Sequence, residues 1–469
     1  MLATAMIVLV TFIAMLVLIA LGKGDRTAIA LVGALITYFS LYTFGEANFE
    51  DLKTFLVGSP TDGFLNLHTL IFVFSILMIV EIAKEGGVFQ FLAFKIAQVT
   101  RGDPKKLLIM LSLTTILITA MISDMLAIFI ILPLTIVICR MIQLNPMPYI
   151  ISQIIVIKNG AIVFLTSSIS NIIISVEGGI SFTEFLLNVG LMALVLIGIT
   201  IAVFLSFFQE DLKKKPENVT VLLQSNAWNY VPNRRLMYKS SIALIAMITC
   251  FFIIPDSLIP TDLIALTVAV ILFTICRLNP VETFKKIDFK LIFYLLGIFV
   301  VTGGLEETGF VDTIASVIGG FGSKNVFAVF AFLLWVSGYL SAPVDNIAIV
   351  RVLVPIADAI TTRTAFMSLH VPYYGIAFGV NLGDNLFPPS GDSLIGISIA
   401  EREGFPVNMR HITIIGFVTT NIQLFVIMLV YAFLYNMQVG LILVAIALPA
   451  LLIIHLGKKL KRGKSNRNA

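Results

Sequence analysis

The feature that most restricts the fold of this chain is an aspartate in the middle of a long apolar run. Asp124 lies near the centre of residues 107–139, where the remaining polar side chains are serines and threonines. An ionised aspartate in such a segment is costly, so it is rare and usually functional. The feature recurs, because segment 345–349 (Asp-Asn-Ile-Ala-Ile) repeats segment 124–128 (Asp-Met-Leu-Ala-Ile). The shift that carries Asp124 onto Asp345, the repeat offset, also carries the Leu-Ile-Phe triplet at 70–72 onto 291–293, so we infer a duplicated chain with one aspartate in each half.

The composition assigns the chain to the polytopic membrane proteins. Of its 469 residues, 58% are hydrophobic and 12% are charged, whereas about 25% of residues are charged in an ordinary soluble domain. We therefore predict an all-α polytopic membrane protein. The net charge of +4 comes from basic residues in loops and in the C-terminal tail, a pattern that sets topology and indicates no nucleic-acid partner. The cysteines have no metal-site spacing and no nucleophile–base arrangement is visible, so we do not expect an enzyme.

Nine continuous apolar segments are candidate membrane spans. Four precede a hydrophilic linker at 209–239 and five follow it, at about 4–22, 27–45, 66–83, 184–208, 240–255, 261–276, 289–305, 411–435 and 438–456. Lysines and arginines concentrate in cytoplasmic loops. This rule places the acidic loop 46–62 outside and the basic segment 84–106 inside. The N-terminus then lies outside the plasma membrane, and the linker and the C-terminal tail are cytoplasmic.

The two halves of the chain, residues 1–208 and 240–436, are predicted to form an inverted repeat. Segment 66–83 and its counterpart 289–305 cross the membrane in opposite directions, because the charges that flank them are reversed. Inverted repeats are the architecture of many secondary transporters. Residues 437–469 add an extra helix and a basic tail.

The aspartate-containing run 107–139 is open to two interpretations. It is either one long helix with a buried aspartate or a re-entrant hairpin with two arms of about 16 residues each. An arm of that size is about 24 Å long, shorter than a hydrocarbon core of about 30 Å. Only the hairpin leaves Arg140 on the same side as Lys106, so we predict hairpins here and in the equivalent run 325–362.

Each half also contains an apolar segment with polar interruptions, at about 148–175 and 371–400, and these predict two broken helices. In the second, Pro388-Pro389-Ser390-Gly391 cannot continue a helix, because two amide donors are missing and glycine is permissive. Unwound backbone at membrane depth is tolerated only inside protein or along a wet cavity. There, released carbonyl groups suit a sodium ion and the N-termini of half-helices suit an anion. With the broken helices, the prediction is about eleven transmembrane helices and two hairpins.

The predicted substrate and ion site combines the hairpin tips with the polar parts of the broken helices. Its residues are Ser123, Asp124, Met125, Lys158, Asn159, Thr166, Ser167, Ser168, Ser170, Asn171, Asp345, Asn346, Asp384, Asn385, Ser390, Gly391, Asp392 and Ser393. If sodium is the coupling ion, its predicted ligands are Asp124, Asn171, Asp345 and Asp392. The aspartates at 124, 345, 384 and 392 outnumber the two nearby cations, Lys158 and Arg351, and this excess favours a cation or a proton.

Structural roles are the alternative for several of these residues. Ser123 and Asp124 can simply cap the second arm of the hairpin. Lys158 or Arg351 can neutralise Asp384, and the hydroxyl groups of 166–170 can satisfy neighbouring backbone. Glu81, at the end of a span, is predicted to be interfacial.

At these residues the chain resembles the ion transporter superfamily, with a citrate-transporter-like domain. The resemblance is greatest to the branch of arsenite permeases, D-type sodium–proton antiporters and the pink-eyed dilution protein. Segment 67–89 resembles the third span of that branch, and Ser123-Asp124-Met125 and Val344-Asp345-Asn346 resemble its aspartate-containing hairpin tips. Residues 167–171 and 388–393 are similar to its two unwound helices.

This resemblance covers about 66–208 and 287–435 and implies a secondary transporter with an elevator-like movement. The Ser-Asn-Thr tips of the dicarboxylate transporters are absent from both hairpins. The resemblance therefore leaves the substrate open.

The function we predict is a secondary active transporter that couples a Na+ or H+ gradient to movement of a small anion, an oxyanion or a carboxylate. The alternative is a Na+/H+ antiporter in which Asp124 and Asp345 constitute the mechanism. A passive channel is less favoured, because acids are buried at both broken helices. No cofactor beyond the coupling ion is expected. The predicted partners are the small ion and the lipid bilayer, and homodimerisation stays open.

Overall fold

The computed structural model describes residues 2–21, 23–44, 48–60, 63–122, 124–322, 325–363, 370–387 and 391–445, and its regular secondary structure in these residues is helical. The first half contains α1 Leu2–Ala20, α2 Arg26–Phe44, α3 Phe49–Val57, α4 Leu65–Gly86, α5 Val88–Val99, α6 Pro104–Thr119, α7 Asp124–Met141, α8 Met147–Ala161, α9 Ile169–Gly178, α10 Phe182–Phe185 and α11 Leu191–Phe207. One π-helical turn, Leu186–Gly190, joins α10 to α11.

The linker and the second half contribute α12 Val219–Gln224, α13 Arg234–Ile253, α14 Thr261–Cys276, α15 Pro280–Phe284, α16 Phe289–Glu307, α17 Phe310–Gly322, α18 Val326–Ser341, α19 Asn346–Arg363, α20 Val371–Gly383, α21 Gly391–Arg402 and α22 Met409–Tyr435. Residues 437–445 are helical as well. Helix α13 begins inside the predicted linker 209–239, because the side chain of Asn233 caps it by accepting a hydrogen bond from the N–H of Leu236.

In the part of the chain that the structure describes, seven helices are long and apolar enough to cross a membrane by length and composition: Ala3–Ala20, Arg26–Phe44, Leu65–Gly86, Phe182–Phe207, Arg234–Ile253, Phe289–Glu307 and Met409–Tyr435. Each of them coincides with a span predicted from the sequence. The predicted span 261–276 is the shorter apolar helix α14. The predicted span 438–456 extends beyond the described residues.

The aspartate-containing run of the first half divides into α6 and α7, so its interpretation as one continuous helix is wrong. At the start of α8, the hydroxyl of Tyr149 donates a hydrogen bond to the carbonyl of Pro104 at the start of α6 (3.3 Å). At the other end of these helices, an ideal Cβ on Gly160 would lie 2.8 Å from the carbonyl oxygen of Ile116. Helices α6 and α8 therefore run parallel, and α7 returns in the opposite direction as the second arm of a hairpin.

The second hairpin, α18 and α19, has the same design with closer packing. Helices α18 and α20 run parallel, with glycines at their contact. An ideal Cβ on Gly375 would lie 2.8 Å from the carbonyl oxygen of Phe330, and one on Gly379 would lie 2.5 Å from that of Leu334. Glycine is needed at these positions because the backbones approach so closely that a side chain would meet the neighbouring helix.

Helix boundaries recur at the repeat offset. Shifted by the amount that carries Asp124 onto Asp345, α6 and α7 cover 325–340 and 345–362, which differ from α18 and α19 by a single position at each end. Helices α4 and α16 also correspond at this offset. The end of α4 nevertheless lies beside the segment that leads into α16, since Lys286 forms an ion pair with Glu85. These two corresponding helices therefore run in opposite directions.

By their packing the helices form two groups. Helices α1–α4, α13, α14 and α16, the scaffold group, pack on one another; the ring of Phe72 in α4, for example, lies 6.0 Å from that of Phe251 in α13. The hairpins and broken helices, α6–α9 and α18–α21, form the hairpin group. Across the boundary α9 lies against α4 and α19 lies against α16. The tips of both hairpins are therefore placed near the boundary between the groups.

Candidate functional site

A cavity of about 550 Å³ lies between the scaffold group and the hairpin group. The ends of α1, α2, α4 and α16 line its scaffold side, and the two hairpin tips and the break before α9 line the other. The linker packs against the C-terminal end of α4, since Gly87 lies against Val231 and Pro232. The cavity thus reaches from the linker face of the molecule to the hairpin tips.

Three helices of the hairpin group begin beside residues that line this cavity. Helix α7 starts at Asp124, α9 starts after Ser168, and α19 starts after Asp345, and all three residues line the cavity. The N-terminus of a helix carries a partial positive charge and backbone N–H groups without intrahelical partners. This end of the cavity is therefore suited to an anion.

Lys158 joins two aspartates from different halves of the chain. Its Nζ lies 2.6 Å from Oδ2 of Asp124 and 2.7 Å from Oδ2 of Asp384. The lysine side chain is 3% exposed, and the aspartates are 14% and 17% exposed. Asn346, at the second hairpin tip, donates a hydrogen bond from Nδ2 to Oδ2 of Asp384 (3.0 Å). With all three charges present, the Asp–Lys–Asp cluster carries one net negative charge, which is costly in a largely buried site unless a further positive charge balances it.

Asp345 has a different environment from Asp124. Its Oδ1 accepts the N–H of Ile347 (3.0 Å) and so caps α19, while its Oδ2 lies 3.5 Å from Nη1 of Arg26. Arg26 is the first residue of α2, in the scaffold group, and its guanidinium lies 5.5 Å from the ring centre of the buried Tyr294. Asp345 therefore has the capping role that the sequence analysis considered for its counterpart Asp124, and it also faces a cation in the cavity.

Side chains satisfy the backbone at the first break. The hydroxyl of Ser167 donates to the carbonyl of Ala120 (2.9 Å) and accepts from the N–H of Phe164 (3.0 Å). Asn171 donates from Nδ2 to the carbonyl of Ala161 (2.7 Å), and its Oδ1 accepts from Nδ2 of Asn381 (2.8 Å). In this arrangement the amide nitrogen of Asn171, and not its oxygen, faces the released carbonyl. Asn171 does not line the cavity, whereas four predicted site residues of this break do: Thr166, Ser167, Ser168 and Ser170.

Two other predicted site residues are buried in the hairpin group away from the cavity. Asn159 donates from Nδ2 to the hydroxyl of Thr200 (2.9 Å) and accepts at Oδ1 from Gln423 (3.0 Å). Asn385 donates from Nδ2 to the carbonyl of Ile155 (2.8 Å). These amides join helices from both halves of the chain, which indicates a packing role for them.

Part of the predicted site lies outside the described structure: Ser123 and Ser390, the side chains of Met125 and Asp392, and the surroundings of Gly391. Their participation stays a prediction, as does a sodium ion at Asp392. Ser393 is described and buried, and it does not line the cavity.

Charged residues of the scaffold side were missed by the sequence analysis. Arg26, Glu81, Lys84, Lys286 and Asp288 line the cavity. Glu81, predicted to be interfacial, is 6% exposed and pairs with Lys84 at 2.7 Å. These residues lie at or near the ends of helices, where charged side chains usually indicate only the topology of a membrane protein. They belong neither to the repeated aspartate motif nor to a broken helix, so no sequence pattern indicated that they belong to the site.

Arg351 does not line the cavity. It forms an ion pair with Glu177 in α9. Its guanidinium lies 4.4 Å from the ring centre of Phe299, and its Nε donates to Oγ1 of Thr302 (3.4 Å), both in α16. Of the two cations considered for Asp384, Lys158 is thus the one in contact at the cavity.

Known proteins with similar sequences include transporters, a membrane protein and a magnetosome protein by name. The profile of the citrate transporter family matches residues 16–378. An uncharacterized transporter of Mycobacterium bovis is 24% identical over 88% of this chain and 94% of its own. The 46 kDa membrane protein of Mycobacterium leprae is 24% identical over 90% of this chain and 96% of its own. The magnetosome protein MamN of Magnetospirillum gryphiswaldense is 24% identical over 62% of this chain and 67% of its own.

Proposed function

This chain belongs to the citrate transporter family of membrane transporters, and on that premise we propose that it is a secondary active transporter of a small anion, driven by a Na+ or H+ gradient. The anion is an oxyanion or a carboxylate. The observation that carries the proposal is a single cavity in which helix N-termini and cationic side chains lie beside the buried Asp–Lys–Asp cluster.

The anion binds, in this proposal, between the N-termini of α9 and α19. Thr166, Ser168 and Ser170 line the cavity at the first of these and supply hydroxyl donors, and Arg26 lies near the second. Helix N-termini stabilise negative charge through backbone N–H groups and the helix dipole. A volume of about 550 Å³ is adequate for an ion of the size of phosphate or a small carboxylate.

The coupling ion acts at the aspartates. The three charges of the Asp124–Lys158–Asp384 cluster sum to −1, and Asp345 adds a further carboxylate on the same cavity. A proton on one of these acids, or a sodium ion beside it, reduces the negative charge held in this largely buried site and so the cost of burying it. A cation bound at these aspartates therefore favours binding of the anion in the same cavity.

In the membrane we expect about eleven spanning helices in an inverted repeat, with α6–α7 and α18–α19 as re-entrant hairpins. Helix α6 has 16 residues, which is about 24 Å and too short for a hydrocarbon core of about 30 Å. The cavity then opens to the cytoplasm, because it reaches the face that carries the linker. Labelling of a cysteine at position 214, but not at position 53, from outside intact cells would overturn this orientation.

An elevator-like movement fits the distribution of contacts. Asp124, Lys158, Asp384 and Asn346 all belong to the hairpin group. Movement of this group past the scaffold group therefore transports the cluster without breaking it.

The test is uptake by the purified protein in liposomes, with sodium and pH gradients imposed separately. Citrate, succinate, inorganic phosphate and sulfate serve as probes. We expect at least one of them to accumulate above equilibrium under one of the gradients. If none accumulates under either gradient, the proposal is wrong.

The second candidate is a Na+/H+ antiporter. The observation that favours it is the presence of three aspartates around Lys158 and Arg26 at the hairpin tips, since titratable acids alone can exchange protons for sodium. It predicts sodium uptake driven by a pH gradient in liposomes that contain none of the anions above. Anion transport that requires a gradient would reject it in favour of the first proposal.

A further inference from the structure

The two hairpin tips differ in where their counter-charge comes from. Asp124 is paired by Lys158 within the hairpin group at 2.6 Å, whereas Asp345 faces Arg26 of the scaffold group at 3.5 Å. Movement of the hairpin group leaves the first pair intact and separates the second. The contact between Arg26 and Asp345 is therefore one that the proposed transport movement must break.

The geometry of this contact is that of a weak ion pair. A well-formed pair between an arginine and a carboxylate is bidentate, with N–O distances of about 2.7–2.9 Å. Here the distance is 3.5 Å, and Oδ1 of Asp345 is used to cap the N–H of Ile347. The Arg26 side chain is 37% exposed and lines the cavity. A partly exposed pair of this kind contributes little, so another anion can replace Asp345.

Other contacts hold Arg26 in place when Asp345 leaves. Its guanidinium lies 5.5 Å from the ring centre of Tyr294, an arrangement that is attractive for a cation. The neighbouring carboxylate of Asp25 has other partners. It accepts the N–H of Thr27 (2.9 Å) and the ammonium of Lys290 (2.9 Å).

We propose that Arg26 is the anion-binding residue of the scaffold group, and that Asp345 occupies it until the coupling ion neutralises Asp345. This inference rests on the proposed function and adds the order of binding, with the cation before the anion. A proton or a sodium ion at Asp345 removes the negative charge beside Arg26. The guanidinium then pairs with a carboxylate or an oxyanion at the N-terminus of α19. Without the coupling ion, Asp345 repels the anion, which prevents uncoupled movement.

Asp345→Asn tests the order of binding. Asparagine keeps the size of the side chain and its capping ability but removes the charge, so the ion pair between residue 345 and Arg26 is permanently absent. We expect the KM of the variant for the transported probe to become independent of sodium concentration and pH, and uptake to stop at equilibration. A KM that keeps the wild-type dependence on the coupling ion would overturn the proposal.

Arg26→Gln and Arg26→Lys test the binding residue. Loss of a charge-assisted hydrogen bond predicts a roughly ten- to hundredfold increase in KM for Arg26→Gln, with a smaller change in the maximal rate. Arg26→Lys should be intermediate, because lysine keeps the charge but not the planar fork. Lys53→Gln is the control; Lys53 lies on α3, exposed and paired with Glu50. Elution of each variant as a single species in detergent verifies folding.

The results separate this inference from the function on which it rests. If the wild type accumulates citrate, succinate, phosphate or sulfate while Arg26→Gln keeps the wild-type KM, only the inference fails. If the wild type accumulates none of them, the proposed function fails and the inference fails with it.

Discussion

The two halves of the chain hold equivalent aspartates in unequal surroundings. Asp124 is paired by Lys158 of α8, and at the repeat offset the counterpart of Lys158 is Gly379 of α20. An ideal Cβ on Gly379 would lie 2.5 Å from the carbonyl oxygen of Leu334 and closer still to Oγ of Ser337. A lysine does not fit there, because the neighbouring helix occupies the space.

The second acid of the Asp–Lys–Asp cluster also occurs in only one half of the chain. Asp384 of the second half corresponds to Val163 of the first, so one half supplies the cation and the other supplies the second acid. The closer packing of α18 and α20 therefore leaves Asp345 to Arg26, a residue of the scaffold group. Two hairpins of the same design thus carry different chemistry, and the difference originates in how closely the helices behind them pack.

Lys158→Gln should have the largest effect on this comparison. It leaves two largely buried carboxylates without their cation, which costs about 3–5 kcal/mol. We expect transport to be lost and the unfolding temperature in detergent to fall clearly. Adding Asp384→Asn should restore part of the stability and none of the transport. Wild-type stability of the single variant would mean that the cluster is solvated and not buried.

Asp124→Asn should abolish gradient-driven transport with little loss of stability. Asparagine ranks with aspartate as a helix cap, and Lys158 retains Asp384 as a partner at 2.7 Å. Uptake in liposomes and the unfolding temperature are the two measurements. Normal gradient-driven uptake would reduce Asp124 to a structural cap and leave coupling to Asp345 and Asp384.

Gly379→Ala tests the packing side of the comparison. A methyl group at this position overpacks the contact with α18, at a cost of about 1–3 kcal/mol. Gly198→Ala in α11 is the matched control, since nothing lies within 4 Å of an ideal Cβ there and alanine favours the helix by about 0.5–1 kcal/mol. Equal unfolding temperatures for the two variants would show that the helices separate without cost.

Lys290→Gln should have the smallest effect. Lys290 pairs with Asp25 at 2.9 Å on the surface, and its hydrogen bond is the main reason that the pKa of Asp25 is lowered to about 2. A lowered carboxyl pKa stabilises the fold above the ordinary pKa of the group and loses this effect only as the pH falls toward the lowered value. Lys290→Gln removes this contribution between about pH 5 and pH 8, but an exposed pair contributes little, so the unfolding temperature should fall only slightly there and uptake should match the wild type. The difference in unfolding temperature should disappear as the pH falls toward about 2. A loss of uptake as large as that of Lys158→Gln would show that the surface pair of Lys290 and Asp25 is as important for transport as the buried cluster around Lys158.

Much of the fold was predictable because it depends on local sequence patterns. Apolar length predicted the seven long helices, and the repeat offset predicted that the helix boundaries near Asp124 would recur near Asp345. The start of a helix at or next to each aspartate follows from the capping preference of that residue. These features involve residues close in the chain or a repeat of the chain itself.

The partners of the aspartates were decided by the tertiary structure. Lys158 and Asp384 come from different halves, as do Arg26 and Asp345, and no pattern in the sequence relates them. Arg351 was as good a candidate for Asp384 as Lys158 by position in the sequence, yet it packs against Glu177 and α16. Which cation reaches which acid depends on how closely the helices pack, and that is set by contacts between residues far apart in the chain.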